Sequence, residues 1–189
     1  PQDPSDFFAQ TLRLSLWPKL SDIIASVQSN RYTAVEAGKG VGKSMTVAGL
    51  VCWWLMRYQV ATVITLSPSW ANVINVIWRY VQRMQQDARL PGKVLETAKW
   101  TFPGQPDKFA MGLSPRHDKP EDVAAFQSYH SPNLLVIIDE APGFNRLVFE
   151  AARGMAICDN NRIVAIGNPL VANDAFGDAC NSPNWTHIH

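Results

Sequence analysis

The feature that most constrains this chain is one run of eight residues, Ala37-Gly38-Lys39-Gly40-Val41-Gly42-Lys43-Ser44. It lies between a strand-like stretch, Tyr32–Glu36, and residues 43–58, which read as a largely apolar helix. Alternating glycines let successive backbone amides turn toward one anion, and the helix that follows adds the positive end of its dipole. The run fits the P-loop pattern in its form with alanine first, in the strand–turn–helix setting that the mechanism needs. A plain glycine-rich turn would not need that setting. Gly38, Lys39, Gly40, Val41, Gly42, Lys43, Ser44 and Met45 are therefore the candidate nucleotide-binding residues. Lys43 is placed to reach the β- and γ-phosphates, and the Ser44 hydroxyl to ligate Mg²⁺.

A second run, Leu134-Leu135-Val136-Ile137-Ile138-Asp139-Glu140, reads as a strand covered on both faces that ends in an acidic pair. Asp139 is the candidate Mg²⁺ ligand, directly or through water, and Glu140 the candidate general base. A strand ending in a solvated charged turn would look similar alone, but not after a P-loop in the correct order. The interval between Lys43 and Asp139 holds another strand candidate, residues 60–66, and its helix, 70–88. That spacing suits the NTPase branch with an extra sheet strand and a catalytic glutamate. A glutamate directly after the aspartate favours hydrolysis over phosphoryl transfer to a metabolite. A third run, Arg162-Ile163-Val164-Ala165-Ile166-Gly167-Asn168-Pro169, ends a strand in Gly-Asn-Pro. The Asn168 amide suits a γ-phosphate oxygen or a water, although Asn-Pro alone also marks an ordinary turn.

The rest of the chain agrees with an α/β domain. Residues 5–29 carry apolar positions at helical spacing, with a new start at Trp17-Pro18. Residues 91–122 are rich in proline and glycine, with short strand candidates at 99–102 and 109–112. Residues 144–157 read as helix, and 162–166 and 185–188 as strands. Strands alternating with helices predict a mainly parallel sheet with helices on both faces, the P-loop NTPase fold of the additional-strand, catalytic-glutamate type. At 189 residues, 47% hydrophobic and 17% charged, the chain is neither disordered nor fibrous. Its net charge of +1 neither demands nor excludes a nucleic-acid partner. The apolar run 47–56 is broken by Arg57 and is far below the roughly 20 residues of a membrane span. Cys52, Cys158 and Cys180 are widely spaced and predict neither a disulfide framework nor a cysteine zinc site. The start and end of the chain read as those of a segment cut from a longer protein.

The combined pattern resembles the N-terminal ATPase domain of bacteriophage terminase large subunits, which package DNA into capsids. The likeness spans residues 17–189. It rests on the Ala37-to-Ser44 loop followed by Trp53-Trp54, and on Ser67-Pro68-Ser69-Trp70 leading to Ile77-Trp78. It continues through Ala125-Phe126-Gln127 and Tyr129-His130-Ser131-Pro132-Asn133 into Asp139-Glu140-Ala141, and closes with Ile166-Gly167-Asn168-Pro169. The resemblance implies one ATPase domain over residues 1–189 with a helical lead-in at 1–30, using ATP and Mg²⁺. It implies catalytic roles for Glu140, Lys43, Asn168 and Lys39, with Gly-Asn-Pro coupling γ-phosphate loss to movement. It further implies translocation of double-stranded DNA by a homo-oligomeric ring in the host cytoplasm, docked on a procapsid. The partners implied are a portal protein and a terminase small subunit, with no membrane.

Three departures from the family stand out. Lys39 occupies a position often held by arginine or histidine, so it offers charge without a planar fork. Trp17 is followed by Pro18 and Lys19, where an adenine-reading glutamine would be sought. The resemblance also implies a nuclease domain with clustered carboxylates, which is expected to lie outside this segment: after Glu140 only Glu150, Asp159, Asp174 and Asp178 remain, and they form no two-metal pattern. Two other readings are a helicase-like nucleic-acid motor and a nucleotide-gated assembly module with negligible hydrolysis. Arg79 with Arg83, and Arg146 with Arg153, read as solvated helix faces. Trp53 and Trp54 read as core, and His117 and His130 as isolated.

Overall fold

The computed structural model describes residues 3–38, 40, 42–116, 119–168 and 174–189. Eight strands form one sheet in the order β3-β4-β5-β2-β6-β7-β1-β8. They are β1 Tyr32–Glu36, β2 Ala61–Leu66, β3 Lys93–Leu95, β4 Lys99–Thr101, β5 Lys108–Leu113, β6 Leu134–Asp139, β7 Arg162–Gly167 and β8 Thr186–Ile188. From β5 across to β8 every pairing is parallel, while β3 and β4 add antiparallel at the far edge.

Alternation along each central strand splits the core into two layers. Leu135, Ile137, Val164 and Ile166 face a layer built on the helices Pro18–Ser29 and Lys43–Arg57 and on the helical stretch 70–87. Leu134, Val136, Ile138, Ile163 and Ala165 face the helices Pro120–Phe126, Arg146–Met155 and Ala175–Asn181. All six β6 residues are buried, so its apolar run serves both layers. Trp53 and Trp54 are core, each at most 2% exposed. Among the described residues no helix is long and apolar enough to cross a membrane, and all three cysteines are free.

Several expected boundaries moved, each for a local reason. The first helix breaks off after Phe7–Thr11, because Arg13 adopts a left-handed backbone (φ 54°), and a new helix starts at Pro18 as expected. The helix after β2 contains a wide π turn, Val73–Ile77, between Trp70–Asn72 and Trp78–Asp87. Trp78 anchors it by donating its indole N–H to Thr65 Oγ1 at 3.1 Å. Gly112 makes that approach feasible, since a Cβ there would lie 2.4 Å from the Trp78 indole nitrogen. The proline- and glycine-rich stretch also holds β3 and the start of Pro120–Phe126, which sequence reading did not separate from loop. The helix Ala175–Asn181, capped by Asp174 accepting from the Gly177 N–H, was not expected either.

Asn133, at the end of the Tyr129-to-Asn133 run, has a structural role. Asn133 donates to the Val60 carbonyl at 2.8 Å, and its own carbonyl accepts from Trp54 Nε1 at 3.0 Å and from the Thr62 N–H at 3.1 Å. It ties the starts of β2 and β6 to the helix Lys43–Arg57, at the opposite end of these strands from Asp139.

Candidate functional site

The strand order decides what meets what. β7 lies between β1, which leads into the Ala37-to-Ser44 loop, and β6, which ends at Asp139. In register, Glu36 pairs with Gly167, and Asp139 with Ile166. The loop and the acidic pair thus stand two strand spacings apart, roughly 10 Å. That is the width of a phosphate chain with its cation, and Asn168 emerges in the middle. The additional strand of this fold lies between β1 and β6 in the sheet and is β7, which leads into Asn168. β2, the strand between the two motifs in sequence, lies on the other side of β6.

Gly40 and Gly42 both hold φ of 79°, the left-handed region that glycine enters at no steric cost. Gly42 starts the helix Lys43–Arg57 with no side-chain cap on its first turn, leaving amide donors for an anion. Lys43 folds back, its ammonium donating to the Ala37 carbonyl at 3.0 Å and to that of Gly38. Ser44 and Met45 are half-buried in the first turn. Lys39, Val41 and Pro169 lie outside the described residues, as does His117.

The lead-in packs against this loop, which the sequence did not reveal. The Trp17 ring lies on Gly42, where an added Cβ would be 3.3 Å from it. Lys19 donates to the carbonyl of Glu36, the last residue before the loop. Both contacts join elements distant in register, so no local pattern announces them.

Asp139 is 2% exposed at the end of β6. Burial pushes its carboxyl up to about 6. Asn72 opposes this by donating to Oδ2 at 3.0 Å, Glu140 adds to the rise, and the Lys43 charge pulls downward. The Asn72 amide also donates to the buried Ser67 hydroxyl at 2.8 Å. Ser67, in the Ser-Pro-Ser turn after β2, and Asn72, in the short helix Trp70–Asn72 that follows, are site residues that sequence reasoning missed. The one sequence signal there is the Ser67-Pro68-Ser69 turn, and Ser69 caps the helix that follows, accepting from the Asn72 N–H at 3.4 Å.

Glu140 is exposed and holds a left-handed backbone, φ 50° and ψ 44°. A non-glycine residue there stores about 1–3 kcal/mol of strain. The turn Ala141–Gly143 follows, and its Pro142 is packed on β7. A Cβ at Gly167 would lie 2.3 Å from Pro142 Cδ. A Cβ at Gly143 would lie 2.6 Å from Pro68 Cγ. The Gly167 carbonyl in turn accepts from the Ala37 N–H at 2.8 Å. The turns after β2, β6 and β7 and the start of the glycine loop therefore form one contact chain along the sheet edge.

The other arginines stay outside it. Arg79 is exposed, Arg83 pairs with Asp87 at 3.5 Å on an open helix face, and Arg146 pairs with Asp178. Arg153 lies over the Tyr32 ring.

No family model matches the sequence. A protein of Enterobacteria phage P7 named "Probable terminase, large subunit" is 25% identical over 167 residues, covering 86% of this chain. The chain spans about a third of that relative, 34% of its length. The large terminase of the thermophilic bacteriophage D6E superimposes with a TM-score of 0.73 at 14% identity, over 93% of this chain and 46% of that one. It has also been solved with ADP and with ATP-γ-S. The large terminase ATPase domain of Thermus phage P74-26 gives 0.71 at 14% identity, over all of this chain and 86% of that one.

Proposed function

We propose that this chain, which has the fold of large terminase ATPase domains, hydrolyses ATP to drive double-stranded DNA into a phage procapsid. The observation that carries the reading is the placement of β7. It gathers Lys43, Asp139, Glu140 and Asn168, motifs far apart in sequence, on one sheet edge. The similarity to a named terminase large subunit and to solved terminase ATPase domains supports it.

Lys43 and the amides from Gly38 to Met45 hold the phosphate chain, Lys43 exchanging its contacts to the Ala37 and Gly38 carbonyls for phosphate oxygens. Lys39 adds charge at the same loop. The donors fit a hard divalent cation, because a serine hydroxyl and a buried carboxylate are oxygen ligands. Ser44 and Asp139 would hold Mg²⁺, which when bound neutralises phosphate charge. Glu140 accepts the proton of the attacking water as the water oxygen bonds to the γ-phosphorus and the bond from that phosphorus to the β,γ-bridging oxygen breaks, ADP leaving with the electron pair. Asn168, between the loop and Glu140, senses whether the γ-phosphate is present. Its loss is felt through Gly167 at Pro142. The working assembly is a homo-oligomeric ring in the host cytoplasm, docked on the procapsid through a portal protein and supplied with DNA by a terminase small subunit. Residues 1–189 form its ATPase domain, with 1–30 as lead-in.

Glu140→Gln should bind ATP normally and hydrolyse it about 10²-fold more slowly, while Lys43→Ala should lose nucleotide binding. Duplex DNA should stimulate wild-type turnover. A folded Lys43→Ala protein with wild-type turnover would overturn the assignment, and stimulation by single-stranded DNA alone would favour the helicase-like reading.

A further inference from the structure

We propose that Glu36, His187 and His189 form a binding site for a divalent transition-metal ion of the zinc class at the β8 edge of the sheet. His187 lies in β8 and His189 follows directly after its last residue, Ile188, two positions on, and both side chains meet Glu36. β8 runs parallel to β1 with Ala34 opposite His187 and Val35 opposite Ile188, which brings Glu36 level with His189. The outcome is measurable. Glu36 Oε1 lies 3.4 Å from His187 Nε2 and Glu36 Oε2 lies 2.5 Å from His189 Nδ1, and one ligand atom from each of the three residues falls within 4.8 Å of the other two.

Zinc–ligand bonds of about 2.0–2.1 Å place neighbouring ligands of a tetrahedron about 3.4 Å apart. The Glu36–His187 pair already has that spacing. The Glu36–His189 contact is a hydrogen bond that an ion would replace, opening it by about 1 Å through rotation of the exposed His189 ring. Two imidazoles and one carboxylate are a borderline donor set. They favour zinc and its neighbours, whereas Mg²⁺ and Ca²⁺ prefer oxygen alone. Three protein ligands leave a fourth position for water.

The surroundings suit the role. The Glu36 side chain is 17% exposed, that of His187 33% and that of His189 87%, so the carboxylate is the held ligand and the mouth is open. Pairing of Glu36 with Gly167 on β7 and of His187 with Ala34 on β1 fixes both backbones before any ion arrives. Glu36 directly precedes Ala37, so an ion here would also brace the strand that carries the glycine loop.

The test compares full-length wild-type protein with His187→Ala and His189→Ala, both at a sheet edge where the fold should tolerate them, checked by circular dichroism. After equilibration with Zn²⁺ and desalting in a large excess of Mg²⁺, wild type should retain one more equivalent of zinc than either variant. Each variant should bind at least 10-fold more weakly, since outer-layer changes alone cost 10- to 100-fold. Zn²⁺ should raise the melting temperature of wild type and of neither variant, and Co²⁺ should give visible d–d bands in wild type only. Equal zinc content in folded wild type and His187→Ala, or displacement by Mg²⁺, would overturn the proposal and leave a plain histidine–glutamate pair.

Discussion

Substituting Gly167 by alanine tests the link between the acidic turn and the strand end that carries Asn168. The added methyl would sit 2.3 Å from Pro142 Cδ, 3.1 Å from Pro142 Cγ and 3.2 Å from the Ala141 nitrogen. Cδ is a ring atom bonded to the backbone, so it cannot swing aside as a flexible chain end would. Relief requires the turn to move, against the hydrogen bonds from the Gly143 N–H to the Glu140 carbonyl (2.8 Å) and from the Phe144 N–H to the Ala141 carbonyl (3.1 Å). Overpacking of this kind costs about 1–3 kcal/mol. At about 2–4 °C per kcal/mol for a chain of this size, calorimetry should show a fall of roughly 2–12 °C. Pro142→Ala removes the offending ring, so Gly167→Ala should cost at least about 1 kcal/mol less in that background. Turnover should fall in Gly167→Ala at temperatures where the protein is fully folded, because Glu140 and Asn168 flank the displaced contact. A stability change within about 0.5 kcal/mol, or the same cost with and without Pro142, would refute the reasoning.

Two further outcomes follow from Asp139. Its carboxyl is raised to about 6 from an ordinary 3.8, so the folded state binds its proton more tightly than the unfolded chain. The penalty is therefore absent at low pH, grows as pH rises from about 4 to about 6, and is complete above that, on the order of 3 kcal/mol. Asp139→Asn should accordingly melt higher than wild type at pH 8 without nucleotide, with the gap closing toward pH 4, yet gain less from Mg²⁺-ATP; a gap that ignores pH would refute this. Asn72→Ala removes the donor that lowers the Asp139 pKa, so the pH midpoint of Mg²⁺-dependent nucleotide binding, followed by fluorescence, should move upward; an unmoved midpoint would mean that the contact does not tune the carboxylate.

The glycine loop, the buried strand ending in Asp139-Glu140 and the alternation of strands and helices were all legible in the sequence. Each is written within about ten consecutive residues. A period of two or 3.6 and a glycine where φ is positive are local properties, and no distant partner is needed to read them. Even the helix restart at Pro18 is local chemistry. Strand neighbours are different. Nothing within Arg162–Gly167 says that it will lie between β1 and β6, because that order depends on where each crossover helix packs. Only then do Asn168 and Asp139 come to share one edge. The same holds for Asn72 on Asp139 and Trp17 on Gly42. It holds for Pro142 against Gly167 and for Glu36 beside His187 and His189. The sequence determined which groups are capable of chemistry. The tertiary structure decided which of them meet, because side-chain contacts between distant segments form only after the sheet has chosen its strand order.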